Sequence, residues 1–102
     1  MTIIKRDGTR AEFDDGRIFT AIMKAAEATG EFQEPEARKV TEIVTYYLSK
    51  AEEFRSEMSV EEIQDVVESA LMSSGYWKTA KAYIIYRENA LKQERCKALL
   101  LR

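Results

Sequence analysis

With 102 residues and a net charge of −2, the chain has room for one domain that buries roughly two-thirds of the surface its unfolded form exposes, without a disulfide staple. Charged residues make up 33% and hydrophobic residues 45%, with four glycines and one proline, which excludes disordered and collagen-like classes and indicates a helix-rich globular domain. There is no histidine and a single cysteine, Cys96, so His-based triads, Cys/His zinc sites and an internal disulfide are excluded.

The chain opens with Ile3-Ile4-Lys5-Arg6-Asp7-Gly8. Asp-Gly after an apolar run predicts a hairpin over residues 2–6 and 9–13, with glycine supplying the positive φ of a tight primed turn. Alternation puts Ile4 and Arg6 on one face and Ile3 and Lys5 on the other. Asp14 is a candidate helix N-cap, and Ile18, Phe19, Ile22, Met23, Ala25 and Ala26 recur at helical spacing until Gly30, predicting a first helix over 15–29. Pro35 suits a first helical turn. Ala37, Val40, Ile43, Val44, Tyr47 and Leu48 form the apolar stripe of a second helix over 35–50.

Residues 51–58 are polar and without period, and the only candidate third strand is 55–58. A lone hairpin is marginal in water, so it needs that strand or a helical surface to pack on. Ser59-Val60-Glu61-Glu62 matches a capping box, and Val60, Ile63, Val66, Val67, Ala70 and Leu71 continue as a third helical stripe. Ser73-Ser74-Gly75 reads as a break. A fourth helix then starts near Tyr76, carrying Trp77, Ala80, Tyr83, Ile84 and Tyr86. The fold class is mostly α within α+β, four amphipathic helices forming a bundle with the hairpin across it. At helical spacing, Tyr46, Tyr47, Tyr76, Trp77, Tyr83 and Tyr86 are expected in the core, as is a half-buried Cys96.

Charge is segregated. Residues 31–68 hold four cations against eleven acids, whereas residues 78–102 hold seven against two. An anion is drawn to the last helix and the hairpin and repelled by the middle. Nonspecific duplex binding, which feeds on net positive charge, is disfavoured. Candidate anion ligands are Lys5 and Arg6 at the hairpin, Arg17 in the first helix and Arg87 in the fourth. Asp14-Asp15 and Glu61-Glu62 stand where helix starts favour acids, so capping explains them better than paired-carboxylate catalysis. Neither G-x-x-x-x-G-K nor G-x-G-x-x-G occurs, so a nucleotide would need another design.

Ile4-Lys5-Arg6-Asp7-Gly8, Phe13-Asp14 with Arg17-Ile18, Ala25-Ala26, Ser59-Val60-Glu61-Glu62-Ile63-Gln64 and Ala80-Lys81-Ala82-Tyr83-Ile84-Ile85-Tyr86-Arg87 together resemble the ATP-cone domain, in order, across residues 3–90. The resemblance implies a four-helix bundle capped by a small three-stranded mixed sheet. It implies ATP or dATP as effector, with Mg2+ as a candidate companion ion. Lys5 and Arg6 would hold phosphates, with Arg17 standing where the family usually has lysine. Ile3 and Ile4 would meet the adenine, Val60 and Gln64 would contact base or ribose, and Arg87 would add a phosphate ligand. Ala11 departs from the family, which often has glutamate two residues before the phenylalanine; Glu12 is one position late and should face the other side.

The resulting expectation is an ATP-cone domain over residues 1–90 with residues 91–102 as a helical extension or linker. It would be a non-catalytic regulatory module of a ribonucleotide reductase, partnered by that enzyme's catalytic domain or subunits. Leu99, Leu100 and Leu101 suit docking or homo-oligomer formation through that end. No apolar run approaches a membrane span of about 20 residues and no signal peptide is present, so a cytoplasmic protein without a membrane partner is expected. Two alternatives are a fragment of a nucleotide-responsive transcriptional repressor, whose zinc-binding cysteines are not seen here, and a helical interaction module without nucleotide binding.

Overall fold

The computed structural model describes residues 1–87. The expected extension, with Cys96 and Leu99 to Leu101, lies outside the described residues. Strand β1 (Thr2–Ile4) pairs antiparallel with β2 (Arg10–Glu12), giving the predicted hairpin with shorter strands. Its turn is not a two-residue primed one. The Lys5 carbonyl accepts from the Gly8 N–H at 2.9 Å, and the Lys5 N–H donates to the Thr9 carbonyl at 2.8 Å. Gly8 has φ 86°, while among the described residues none other than glycine has positive φ. Arg6 and Asp7 therefore form the centre of an ordinary turn, and the glycine is the bulge residue that follows. The Asp7 carboxylate accepts from the Thr9 hydroxyl at 2.6 Å and the Thr9 N–H at 2.9 Å. Those bonds hold its pKa below the usual carboxylate value.

Helix α1 (Asp15–Thr29) begins where Asp14 accepts from the Gly16 N–H at 2.9 Å and ends at Gly30 in the left-handed region. Helix α2 (Glu34–Glu52) carries Pro35 in its first turn, and the Gln33 N–H donates to the Glu36 carboxylate at 3.2 Å. The third strand exists, one residue later than its expected end: β3 (Glu57–Ser59) runs parallel to β1, giving the order β2-β1-β3. Helix α3 (Val60–Ser73) opens on the expected capping box, with Ser59 Oγ accepting from the Glu62 N–H at 3.2 Å and the Glu62 carboxylate accepting from the Ser59 N–H at 3.0 Å. A fourth helix, α4, occupies residues 77–87 of the described chain.

The N-terminus of α4 is capped from a distance. The Glu31 carboxylate accepts from the Thr79 N–H at 2.9 Å and the Lys78 N–H at 3.4 Å. Burial pushes its pKa up, but the Thr79 amide and hydroxyl and the Lys78 amide outweigh that and hold it below the ordinary value of 4.5. Fully buried Thr79 also shares a 3.0 Å hydrogen bond with the Thr29 hydroxyl, tying α4 to the end of α1.

The core lies between the helices and under one face of the sheet. Ile22, Val40, Val44, Val67 and Leu71 are essentially inaccessible, and Met58 of β3 joins them. Several stripe residues do not. Ile43, Tyr46, Tyr47, Trp77 and Tyr86 are exposed, between 49% and 67%. On α2, the core takes the Val40, Val44 and Leu48 row, and Ile43, Tyr46 and Tyr47 lie beyond the width that α1 and α3 cover. Only Tyr83 of these aromatics is fully in the core, with Tyr76 half-buried.

Leu71→Ala should lower unfolding free energy by about 2–5 kcal/mol in urea titration, whereas Tyr47→Ala should cost under about 1 kcal/mol. Because the folded pKa of Glu31 is lowered, its contribution is present above 4.5 and lost as pH falls through and below that value. Glu31→Gln should therefore cost about 1 kcal/mol at pH 7 and little at pH 3, read from melting temperatures across that range.

Candidate functional site

The register of the parallel pair sets the site. Ile4 lies opposite Ser59, and Ser59 is both the last residue of β3 and the N-cap of α3. The chain leaving β1 at Lys5-Arg6 therefore runs beside the first turns of α3. Half-buried Arg6 donates from Nη2 to Gln64 Oε1 at 3.3 Å, and its Nε lies 3.7 Å from Glu61 Oε1. The same Gln64 oxygen accepts from Arg87 Nε at 3.0 Å. Arg87 Nη1 also donates to Asp65 Oδ1 at 3.0 Å and to Glu68 Oε1. Three of the residues singled out from sequence, brought from the hairpin, α3 and α4, thus meet on one amide oxygen.

Burial works against the Arg87 charge, yet the Glu68 and Asp65 carboxylates more than offset it and raise its pKa above the ordinary value. Tyr83, one turn before Arg87 on α4, is buried beside this cluster and its phenol is pushed up to about 12, chiefly by burial. It is a neutral hydroxyl at any physiological pH. The spacing of Tyr83 and Arg87 puts both on one helix face.

The other candidates are more dispersed. Lys5 is exposed, so the adjacent cations part: Arg6 turns to α3 and Lys5 to solvent. Ile3 packs against the core in the row Ala11, Ile3, Met58, while Ile4 and Val60 are half-buried on either side of that row and at the start of α3. Ala11 is thus on the bundle side of the sheet, and Glu12, opposite Thr2, is exposed. Arg17 lies apart from the Gln64 cluster, in a cavity of about 560 Å³ between α1 and α4 with Asp14, Thr20, Lys24 and Tyr86.

Sequence reasoning missed the carboxylates. Glu62 caps α3 as expected, but Glu61 faces Arg6, and Asp65 and Glu68 hold Arg87. The available signal was periodicity: Glu61, Gln64, Asp65 and Glu68 fall at i, i+3, i+4 and i+7, one polar stripe on α3. A second groove, about 510 Å³ between α2 and α3, includes Ile43, Tyr47 and Val66; its Arg55 and Glu62 pair through two 3.1 Å bonds. Among the described residues no group of histidine, cysteine and carboxylates could hold a metal ion, and no helix is long and apolar enough to cross a membrane.

The model of the ATP cone domain matches residues 1–91. The chain belongs to the ATP-cone family. It is 38% identical over 87 residues to an anaerobic ribonucleoside-triphosphate reductase of Salmonella typhimurium, covering 85% of this chain and 12% of that protein. Over 100 residues it is 37% identical to a vitamin B12-dependent ribonucleoside-diphosphate reductase of Thermoplasma acidophilum, with 91% and 12% covered. A ribonucleoside-diphosphate reductase subunit alpha of Chlamydia muridarum is 35% identical over 96 residues, with 86% and 9% covered. This ATP cone therefore spans about a tenth of the length of the relatives it matches.

The ATP cone's central cluster has a stability signature. Arg87 and Glu68 side chains are only 19% and 18% exposed, so Glu68→Gln, which leaves the guanidinium less compensated, should cost about 1–2 kcal/mol in urea titration. Asp65→Asn, whose carboxylate is 69% exposed, should cost under about 1 kcal/mol.

Proposed function

We propose that this ATP cone binds ATP or dATP as an effector and regulates a ribonucleotide reductase, without catalysing a reaction itself. The observation that carries the reading is the meeting of Arg6, Gln64 and Arg87 on a single oxygen, from three elements distant in sequence. Guanidinium forks of this kind match phosphate oxygens. Half-buried Ile3, Ile4 and Val60 beside them offer an apolar edge for a purine. The donor set fits the group: cations and an amide for phosphates and sugar, aliphatic side chains for the base.

In this reading Lys5 and Arg6 take phosphates, Arg17 and Arg87 add charge from α1 and α4, and Gln64 orients the ribose or base. Mg2+ would accompany the phosphates. The partner is the reductase catalytic domain or subunits, in the cytoplasm, with self-association of the domain as a further element. Support comes from family membership and from relatives whose names are those of reductases of three kinds.

Calorimetric titration with ATP, dATP and GTP tests the reading. Adenine nucleotides should give saturable heat below the millimolar range. No such heat would sink it in favour of an interaction module. Lys5→Ala combined with Arg6→Ala should weaken dATP binding by about 2–5 kcal/mol, since charge-assisted hydrogen bonds contribute about 1.5–3 kcal/mol each.

A further inference from the structure

Arg87 is held at two corners of its guanidinium group. Its Nε donates to Gln64 Oε1 at 3.0 Å, and its Nη1 donates both to Asp65 Oδ1 at 3.0 Å and to Glu68 Oε1. A guanidinium offers an anion two flat forks, Nε with one Nη and the two Nη groups together. Gln64 takes a corner of the first fork, and the two carboxylates use both hydrogens at a corner of the second. A phosphate gains a two-pronged contact with Arg87 only when one of these partners leaves.

Charge decides which one. Gln64 is neutral and also accepts from Arg6 Nη2 at 3.3 Å, so its departure would loosen both arginines. Asp65 and Glu68 are anions on the same nitrogen, and Glu61 adds a third, with its Oε1 3.7 Å from Arg6 Nε. These three carboxylates outnumber the two guanidinium groups, so a phosphate arriving while they stay in place meets repulsion. The Asp65 side chain is 69% exposed and that of Glu68 18%. Asp65 needs only to turn into solvent to let go. Glu68 gives up an ion pair largely shielded from water, so its departure sets the cost.

We propose that Glu68, assisted by Asp65, is an intramolecular competitor of the nucleotide: it fills the Arg87 fork until a phosphate takes it, while Gln64 keeps its hold on Arg87 through the exchange. The inference rests on the nucleotide reading above and adds Glu68 and Asp65 to it, as groups that oppose binding. The same contact then stabilises the fold and lowers affinity for the ligand. Removing it moves the two quantities in opposite directions.

Calorimetric titration of ATP into the wild type, Glu68→Gln, Asp65→Asn and Glu53→Gln tests the exchange, with melting curves to verify that each variant is folded at the titration temperature. Glu53, the exposed residue that follows α2, removes the same charge outside the cluster. Glu68→Gln should bind ATP about 10-fold more tightly, as expected when one charged hydrogen bond no longer has to be given up. Asp65→Asn should tighten binding by a smaller factor, and Glu53→Gln should leave it unchanged. A purely structural Glu68 gives the reverse, because Arg87 loosens and ATP affinity falls along with stability. ATP affinity that falls in Glu68→Gln, stays the same, or rises no more than in Glu53→Gln overturns the competition. Should Glu68→Gln not fold, Asp65→Asn carries the test on the same terms: tighter binding than Glu53→Gln supports the exchange, and anything less overturns it. Absence of adenine-nucleotide heat in both the wild type and Glu68→Gln overturns the nucleotide reading itself.

Discussion

The parallel pairing of β1 with β3 is the constraint on which the rest depends. Three residues pair on each side, Thr2 with Glu57, Ile3 with Met58 and Ile4 with Ser59. Because Ser59 is also the N-cap of α3, this short ladder fixes the hairpin relative to a helix end, not just to another strand. A slip by one residue would reverse which side chains of β1 face the bundle. Ile3 would leave the core, and Arg6 would no longer follow a residue anchored beside α3. Hairpin, strand and helix cap therefore act as one unit, and Arg10 reinforces it by reaching Glu57 at 3.1 Å across the sheet.

That unit and α4 together bring two guanidinium groups to one oxygen, which is costly unless something offsets their repulsion. A neutral amide accepts from both without adding charge, and the three carboxylates of the α3 stripe supply the compensation. The arrangement holds Arg6 and Arg87 in place, so a ligand taken up there as proposed would not have to order two long side chains. The same carboxylates limit how much anionic charge the cluster attracts. Arg6 of the hairpin and Arg87 of α4 are thus held by partners on α3, whereas among the described residues Arg17 of α1 has no ion pair.

What was legible in the sequence was what local chemistry decides. Asp14, Gly30, Pro35 and the Ser59–Glu62 box marked helix ends that the structure reproduces to within two residues. Each of these signals acts through hydrogen bonds or dihedral limits inside a few residues. The hairpin turn was less legible, because Asp7-Gly8 fits either the centre of a primed turn or an ordinary turn with a glycine bulge. Strand twist and the Thr9 contacts of Asp7 decide between them. The exposed Ile43, Tyr46 and Tyr47 show the limit of periodicity, since a stripe says which face is apolar and not how wide a face its neighbours cover. Arg6, Gln64 and Arg87 came from the ordered resemblance, but their convergence and the roles of Glu61, Asp65 and Glu68 depend on separations of up to 58 residues that no local pattern encodes.

Helix α4 is the wall that the two charged regions share. Arg87 belongs to the Gln64 cluster and Tyr86, its neighbour in sequence, to the α1 cleft, because adjacent helical residues point about 100° apart. Glu31 and Thr29 fix the start of this helix, and buried Tyr83 fixes its middle against the bundle. Substitutions on α3 therefore alter one region and substitutions on the exposed face of α1 alter the other, while a change in the seating of α4 alters both together. Helix α4 is thus the element that the two regions share, tied to the bundle at its start and through Tyr83. That follows from the placement of three residues, Tyr83, Tyr86 and Arg87, within little more than one turn.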